Sequence, residues 1–290
     1  MGIYENIISQ TPILKGWSGD SKFCVETADG RKYLLRISPP DRLERKRREF
    51  ERMQEVAALG IPMCQPLAFG ICEEGVYSVQ SWIQGEDAEE ALMTMDREKQ
   101  YRYGLQSGEI LRKIHTIPAP ADAPDWESRF NAKIDRKIAM YESCPRKYEQ
   151  GSVFLEYIAH HRHLLNGRPQ SYQHGDYHVG NMMIDHKGAL TIIDFDRDDF
   201  GDPWEEFNRI VWCAQAAPEF ARGMIDGYFD GTIPMEFWQL LALYIGNNAL
   251  SSLPWAVSFG GKEIKVMEEQ ASQILQWYRG MTEVIPTWYR

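Results

Sequence analysis

Up to about Ile83, apolar positions come in short runs bounded by turn residues; beyond Gly85 they recur every three to four residues. Phe23-Cys24-Val25-Glu26-Thr27 reads as a strand, Asp29-Gly30 as a hairpin turn, and Lys32 to Ser38 as the returning strand. Pro39-Pro40 stops it, and Asp41 is placed to cap a helix running to about Leu59. That helix carries Leu43, Phe50, Met53, Val56 and Ala57 on one side, with Gly60 and Pro62 beyond its end. Two more strands are predicted over Pro66 to Ile71 and Val76 to Ile83. After Gly85, Leu105, Gly108, Leu111, Ile114 and His115 mark a helix within 99–115, and further helical stretches cover 127–141, 152–165, 204–229, 235–252 and 262–280. One hairpin-like segment, Asn181 to Asp194, interrupts them. The pattern predicts an α+β chain: a small β-rich N-lobe over 1–83, a linker near 84–88, and a larger, mostly helical C-lobe over 84–290.

Composition narrows the class. The chain has 290 residues, 43% hydrophobic and 26% charged, which is ordinary globular usage and enough to bury a core without a disulfide or metal staple. Its 5 cysteines include no C-x-x-C pair, which points to a reducing, cytoplasmic setting. No basic n-region or apolar h-region is visible at the start, so no signal peptide is expected, and the apolar stretch near 238–245 is too short to span a bilayer. The net charge of −10 falls wholly after Gly85, because residues 1–85 hold equal numbers of acidic and basic side chains. Nucleic acid and anionic membranes are therefore unfavoured partners, and a cationic one would be attracted.

The chemistry concentrates in Gln173-His174-Gly175-Asp176-Tyr177-His178-Val179-Gly180-Asn181 and, after the hairpin, Ile192-Ile193-Asp194-Phe195-Asp196. Asp176 and Asn181 are five apart in a polar loop. Asn181 opens one apolar strand and Asp194 closes the next, so strand pairing brings an amide oxygen beside a carboxylate. Both are hard oxygen donors suited to Mg²⁺ on a nucleotide. Asp176 is left to orient a hydroxyl and accept its proton, the layout that phosphoryl transfer needs. His174 and His178 lack the third ligand and helical frame of a zinc site, and His174 is expected to hydrogen-bond within the loop.

This segment resembles the H-G-D-x-H-x-x-N signature of the aminoglycoside phosphotransferase and choline-kinase-like group, small-molecule kinases with a bilobal protein-kinase-like fold. Its D-x-x-x-x-N spacing is that of the protein-kinase catalytic loop, with Asp194 at the D-F-G position. The resemblance spans about residues 11–230 and implies further roles. Asp176 is the implied base, and Asn181 and Asp194 hold the metal. Arg36, on the third strand, takes the place of the usual lysine over the nucleotide phosphates, where its planar fork suits oxygen pairs. Glu49, with Glu44 as the alternative, would hold that cation. Ser18 and Gly19 stand in the nucleotide-covering loop, which lacks the G-x-G-x-x-G pattern. The Ser81 carbonyl and Ile83 amide would meet an adenine. Arg197 would approach the transferred phosphate, Asp202 would cap the following helix, and Asp198 and Asp199 are candidates to meet an ammonium group of the acceptor.

The expectation is a cytoplasmic, Mg²⁺-dependent kinase using ATP or GTP. Its acceptor would be a small polar and cationic compound, foremost an aminoglycoside, with choline or another amino alcohol, a macrolide, a sugar or a nucleoside as alternatives. A monomer or weak dimer is expected. A protein substrate is disfavoured, because fewer than ten residues separate Asp194 from Pro203. A nucleotide-binding pseudokinase-like module is the alternative of another class.

Overall fold

The structure, a computed structural model, describes residues 2–14 and 19–290. In chain order the elements are β1 (Ile7–Pro12), β2 (Ser21–Thr27), β3 (Lys32–Ser38), α1 (Leu43–Ala58), β4 (Pro66–Cys72), β5 (Gly75–Ser81), β6 (Gly85–Asp87), α2 (Ala88–Thr94), α3 (Arg97–Ile114), α4 (Trp126–Ser143), α5 (Gly151–His161), β7 (Ser171–Gln173), β8 (Met182–Asp185), β9 (Leu190–Ile192), β10 (Asp199–Gly201), α6 (Ile210–Ala216), α7 (Pro218–Phe229), α8 (Met235–Val257) and α9 (Gly261–Trp277). Among the described residues, no helix is long and apolar enough to cross a membrane.

The chain divides into two compact units, one of Met1–Ala91 with Asn181–Asp198, the other of Leu92–Gly180 with Asp199–Arg290. This differs from the expected division at 83/84. Hydrogen bonds explain why: β6 pairs with β8, Cys64 N–H donates to the Ile192 carbonyl, and Ile192 N–H donates to the Pro62 carbonyl. The β8–β9 hairpin is thereby stitched into the first unit.

The first unit is built on an antiparallel five-stranded sheet of order β1-β2-β3-β5-β4. The period-2 alternation of β3 sends Leu35 into a cluster with Val25 and Val79, and turns Arg36 and Ser38 to the other face. There α1 contributes Phe50 and Met53 beside Arg36, Ser38 and Phe69. Asp41 does not cap α1; a short 3₁₀ turn, Pro40–Arg42, precedes it instead.

The second unit is helical around α8, fourteen of whose residues are buried. The single helix predicted over 204–229 is three pieces: a 3₁₀ turn at Glu205–Arg209, then α6 and α7. The break falls at Ala217, extended at φ −153° and ψ 92°, because Pro218 forbids helical geometry in the residue before it. Helices α3 and α7 meet through Gly104, Gly108, Gly223 and Gly227. A Cβ at any of these four would collide with a backbone carbonyl of the facing helix.

Candidate active site

In the first unit, Arg36 gathers three carboxylates. Its Nη1 donates to Asp194 Oδ1 at 2.6 Å, Nη2 to Asp196 Oδ2 at 2.6 Å, and Nε to Asp20 Oδ2 at 3.3 Å. The arginine is 4% exposed. Burial opposes its charge, but Asp194 and Asp196 more than offset that and raise its pKa above the ordinary value. Asp20 is buried too, yet Lys46 Nζ at 3.0 Å, the Ser38 hydroxyl at 2.8 Å and Arg36 hold its carboxyl below the usual range. Lys46 also pairs with Glu49 at 2.8 Å, and Arg45 Nε reaches Glu49 at 2.6 Å. The expected Glu49–Arg36 pairing is therefore replaced: α1 supplies Glu49 with its own cation, and Arg36 is held by Asp20, Asp194 and Asp196.

Hairpin pairing brings the Asn181 backbone to the residue before Asp194. Met182 faces Ile192 across β8 and β9, and Ile193 N–H donates to the Asn181 carbonyl at 3.0 Å. Asp194 has φ +67°, a left-handed conformation that costs a non-glycine residue about 1–2 kcal/mol and that Asp tolerates better than most. Arg36 at one carboxylate oxygen helps to hold it there. Among the described residues no group of three or more His, Cys, Asp or Glu could hold a metal. The Asn181–Asp194 pair does fit Mg²⁺, which takes one or two protein oxygens and fills the rest with water and phosphate. The surrounding charge is matched: Asp20, Glu49, Asp194 and Asp196 face Arg36, Arg42, Arg45 and Lys46.

In the second unit, β7 pairs with β10 and leads into the loop that carries Asp176. Gly175 turns the chain at φ +81°, a conformation glycine adopts without strain. Buried Glu206 ties the loop down: it accepts Gly175 N–H at 3.0 Å and Tyr177 N–H at 3.4 Å. His174 Nδ1 accepts the Asp176 N–H at 3.3 Å, as expected of a loop-internal histidine. Tyr177 is fully buried and donates to the Ser107 carbonyl at 2.8 Å. The Asp176 carboxylate itself is met by Arg209 Nε at 3.2 Å and lies 3.7 Å from His178 Nε2.

Asp198 has a side chain 2% exposed and ion-paired to Arg52, and Asp199 pairs with Arg129 at 3.2 Å. Both acids expected to recognise a cationic acceptor thus have their charge already matched. Arg197 is exposed in the turn before β10. Ser81 ends β5, where its Oγ accepts Gln65 N–H at 2.8 Å; the Ile83 N–H has no hydrogen-bond partner among the described residues, as an adenine contact requires. Ser18 lies outside the described residues, whereas Gly19 precedes Asp20 in a bend. Asp202 Oδ1 accepts the Trp204 N–H at 3.0 Å at the head of the 3₁₀ turn Glu205–Arg209, as a capping acid does, and the buried carboxylate is also gripped by Arg168 Nε and Nη2, at 2.8 and 3.1 Å. Asp20, Lys46, Asp196, Glu206 and Arg209 were not anticipated from sequence. Glu206 had a signal, a second acid directly after Asp202-Pro203-Trp204-Glu205, but nothing local tells which of two adjacent glutamates turns inward.

A family model described as APH, phosphotransferase enzyme family, matches residues 9–238. No curated protein matches the sequence. Among solved structures, the chain is similar to a thermostable aminoglycoside phosphotransferase APH(4)-Ia in ternary complex with ADP and hygromycin B, at TM-score 0.66 and 16% identity, covering 97% of each chain. It is also similar to a GDP complex of an aminoglycoside 2'-phosphotransferase-IIIa mutant, at TM-score 0.67 and 14% identity over 92% of each. A third is an aminoglycoside phosphotransferase from Alicyclobacillus acidocaldarius, at TM-score 0.63 and 10% identity, covering 96% of this chain and 91% of that one. At such identities the likeness carries the fold, and the family match carries the activity. The chain belongs to the phosphotransferase enzyme family: it has a protein-kinase-like fold and is a nucleotide-dependent kinase of small molecules.

Proposed function

We propose that this chain transfers the γ-phosphoryl group of ATP or GTP, as its Mg²⁺ complex, to a hydroxyl of a small polar acceptor in the cytoplasm. The observation that carries the reading is Arg36 between Asp194 and Asp196, with Asn181 hydrogen-bonded to the residue before Asp194. Asn181 and Asp194 would hold the metal, and the Arg36 fork would meet phosphate oxygens. Bound there, Mg²⁺ supplies neutralisation of the phosphate charge. Asp176 orients the acceptor hydroxyl and takes its proton, while Arg209 fixes the direction of that carboxylate and Glu206 holds its loop. Ser81 and Ile83 offer backbone groups to the base, and Arg197 lies one residue beyond Asp196 to approach the phosphoryl group. The protein's work is positioning and electrostatics rather than covalent chemistry.

Relatives with aminoglycosides in their names make those antibiotics one class of acceptor to test, beside amino alcohols, macrolides, sugars and nucleosides. The test is ³¹P NMR of the full chain with ATP or GTP, Mg²⁺ and each acceptor class. Transfer that disappears in Asp176→Asn, with nucleotide still bound, supports the reading. Nucleotide binding with no hydrolysis and no transfer across the panel would replace it with a pseudokinase-like module.

A further inference from the structure

The second unit holds a group of charges that phosphoryl transfer as described above leaves unused. Lys133 and Lys137 stand one turn apart on α4 and so share a face. Lys133 Nζ donates to Glu205 Oε1 at 2.9 Å, and Gln173 Nε2 reaches the other oxygen at 3.3 Å. Glu205 opens the 3₁₀ turn whose last residue, Arg209, holds Asp176. The set is therefore tied, bond by bond, to the carboxylate that would receive the hydroxyl proton. Lys137 faces the same group, within electrostatic reach of Lys133, Glu205, Arg209 and Arg136. It is half-buried and makes no hydrogen bond or ion pair among the described residues.

The balance of charge here is positive. Lys133, Lys137, Arg136 and Arg209 stand against Glu205 and Asp176. Lys133 is committed to Glu205 and Arg209 to Asp176, so Lys137 is the half-buried cation left over. Burial and the neighbouring Lys133, Arg209 and Arg136 push its ammonium down to about 7, with Glu205 pulling the other way. Burial likewise works against ionised Glu205, but Lys133, Lys137 and Arg209 outweigh it and hold that carboxyl below its usual range. An uncompensated, half-buried ammonium is a standing cost that an anion would relieve. The acids expected to receive a cation, Asp198 and Asp199, are taken by Arg52 and Arg129.

We infer that the acceptor carries an anionic group, a carboxylate or a phosphate ester, which Lys137 grips beside Lys133 while the hydroxyl to be phosphorylated meets Asp176. This rests on the proposed kinase activity and specifies its acceptor. In the step, the acceptor oxygen forms a bond to the γ-phosphorus, the bond from that phosphorus to the bridging oxygen of the nucleoside diphosphate breaks, and the hydroxyl proton passes to Asp176. The product leaves with one more phosphate than the acceptor brought.

The test uses the full chain saturated with Mg-ADP, so that the nucleotide site is filled, with lysine labelled at ¹³Cε. The Lys137 resonance is identified by its absence in Lys137→Gln, or in Lys137→Arg should the first variant not fold. Sulfate stands for a phosphate ester, acetate for a carboxylate and choline chloride for a cationic acceptor, all at matched ionic strength. The Lys137 titration midpoint should rise by about one unit or more with sulfate or acetate, as expected for an opposite charge within a few ångströms, and stay put with choline. Whichever anion moves it further names the group. A midpoint unmoved by both anions, or moved no more than that of exposed Lys262, overturns the inference while leaving the kinase intact. Failure of Mg-ADP to bind at all would instead sink the kinase reading, and the acceptor with it.

Discussion

The two units carry ionic clusters of different balance. In the first, four carboxylates (Asp20, Glu49, Asp194, Asp196) are matched by Arg36, Arg42, Arg45 and Lys46; in the second, four cations (Lys133, Arg136, Lys137, Arg209) stand around Glu205 and Asp176. The matched set of the first leaves no net charge of its own, and the surplus base of the second suits an anion. Whole-chain charge points the other way, since the first 85 residues are neutral and the entire −10 lies after them. Net charge sets the field felt at a distance, whereas recognition depends on which side chains are left over after the local pairs are made. An acidic half of a protein can hold a basic site.

The comparison can be broken at either end. The largest effect expected is in Asp176→Asn, with kcat down about 10²–10⁴-fold, the usual worth of a positioned proton acceptor, and nucleotide affinity little changed. Steady-state kinetics beside nucleotide titration would check it; a variant retaining a tenth of its activity would remove Asp176 from the reaction. Next is Arg36→Met. It takes the cation from Asp194 and from the more than four-fifths buried Asp196, while Asp20 keeps Lys46, so a loss of about 3–5 kcal/mol in urea unfolding is expected, together with weaker nucleotide binding. Arg36→Lys should recover only part of both, because one ammonium cannot replace a fork that reaches three acids.

Smaller effects sharpen the second unit. Glu206→Ala removes the acceptor of two backbone donors in the Asp176 loop, which should cost about 1–3 kcal/mol and lower kcat more than it changes nucleotide KM. The smallest is a pH dependence. Lys137 titrates near 7 when folded and near the ordinary lysine value of about 10.4 when unfolded. Below pH 7 it is charged in both states and the penalty is complete; between the two values the folded state sheds its proton first and the penalty shrinks. The unfolded chain binds more protons over that range, so this group makes stability rise with pH. Lys137→Met should therefore raise Tm most below pH 7 and have little effect by pH 10. An equal gain at both ends would show that packing, not charge, is responsible.

Much of the scaffold was legible. Residues 32–38 were read as a strand to the residue, and α1 to within two residues, because strong alternation or periodicity ended on Pro or Gly. Three-residue strands β6, β7 and β10 carry too few positions to show a period, and were missed. The Pro218 break was readable, but the apolar periodicity on either side of it outweighed one proline. The approach of the Asn181 backbone to the end of β9 was legible because strand pairing dictates it. The partners of Arg36 were not: Asp20 and Asp196 lie 16 and 160 residues away, and only the folded chain chooses them over Glu49. The pairing of Asp198 and Asp199 was hidden for the same reason, since a sequence displays a charge but not whether Arg52 or Arg129 has already answered it.

The glycine seam between α3 and α7 bears on how this protein would fail. At Gly104, Gly108, Gly223 and Gly227 main chain lies on main chain, with no side chain in between to bend out of the way. Lesions there would act before any chemistry begins, by leaving fewer molecules that complete the second unit. They would surface as heat-sensitive, poorly accumulating protein whose surviving copies turn over at the normal rate, the reverse of a lesion at Asp176, which would leave abundant protein and no product.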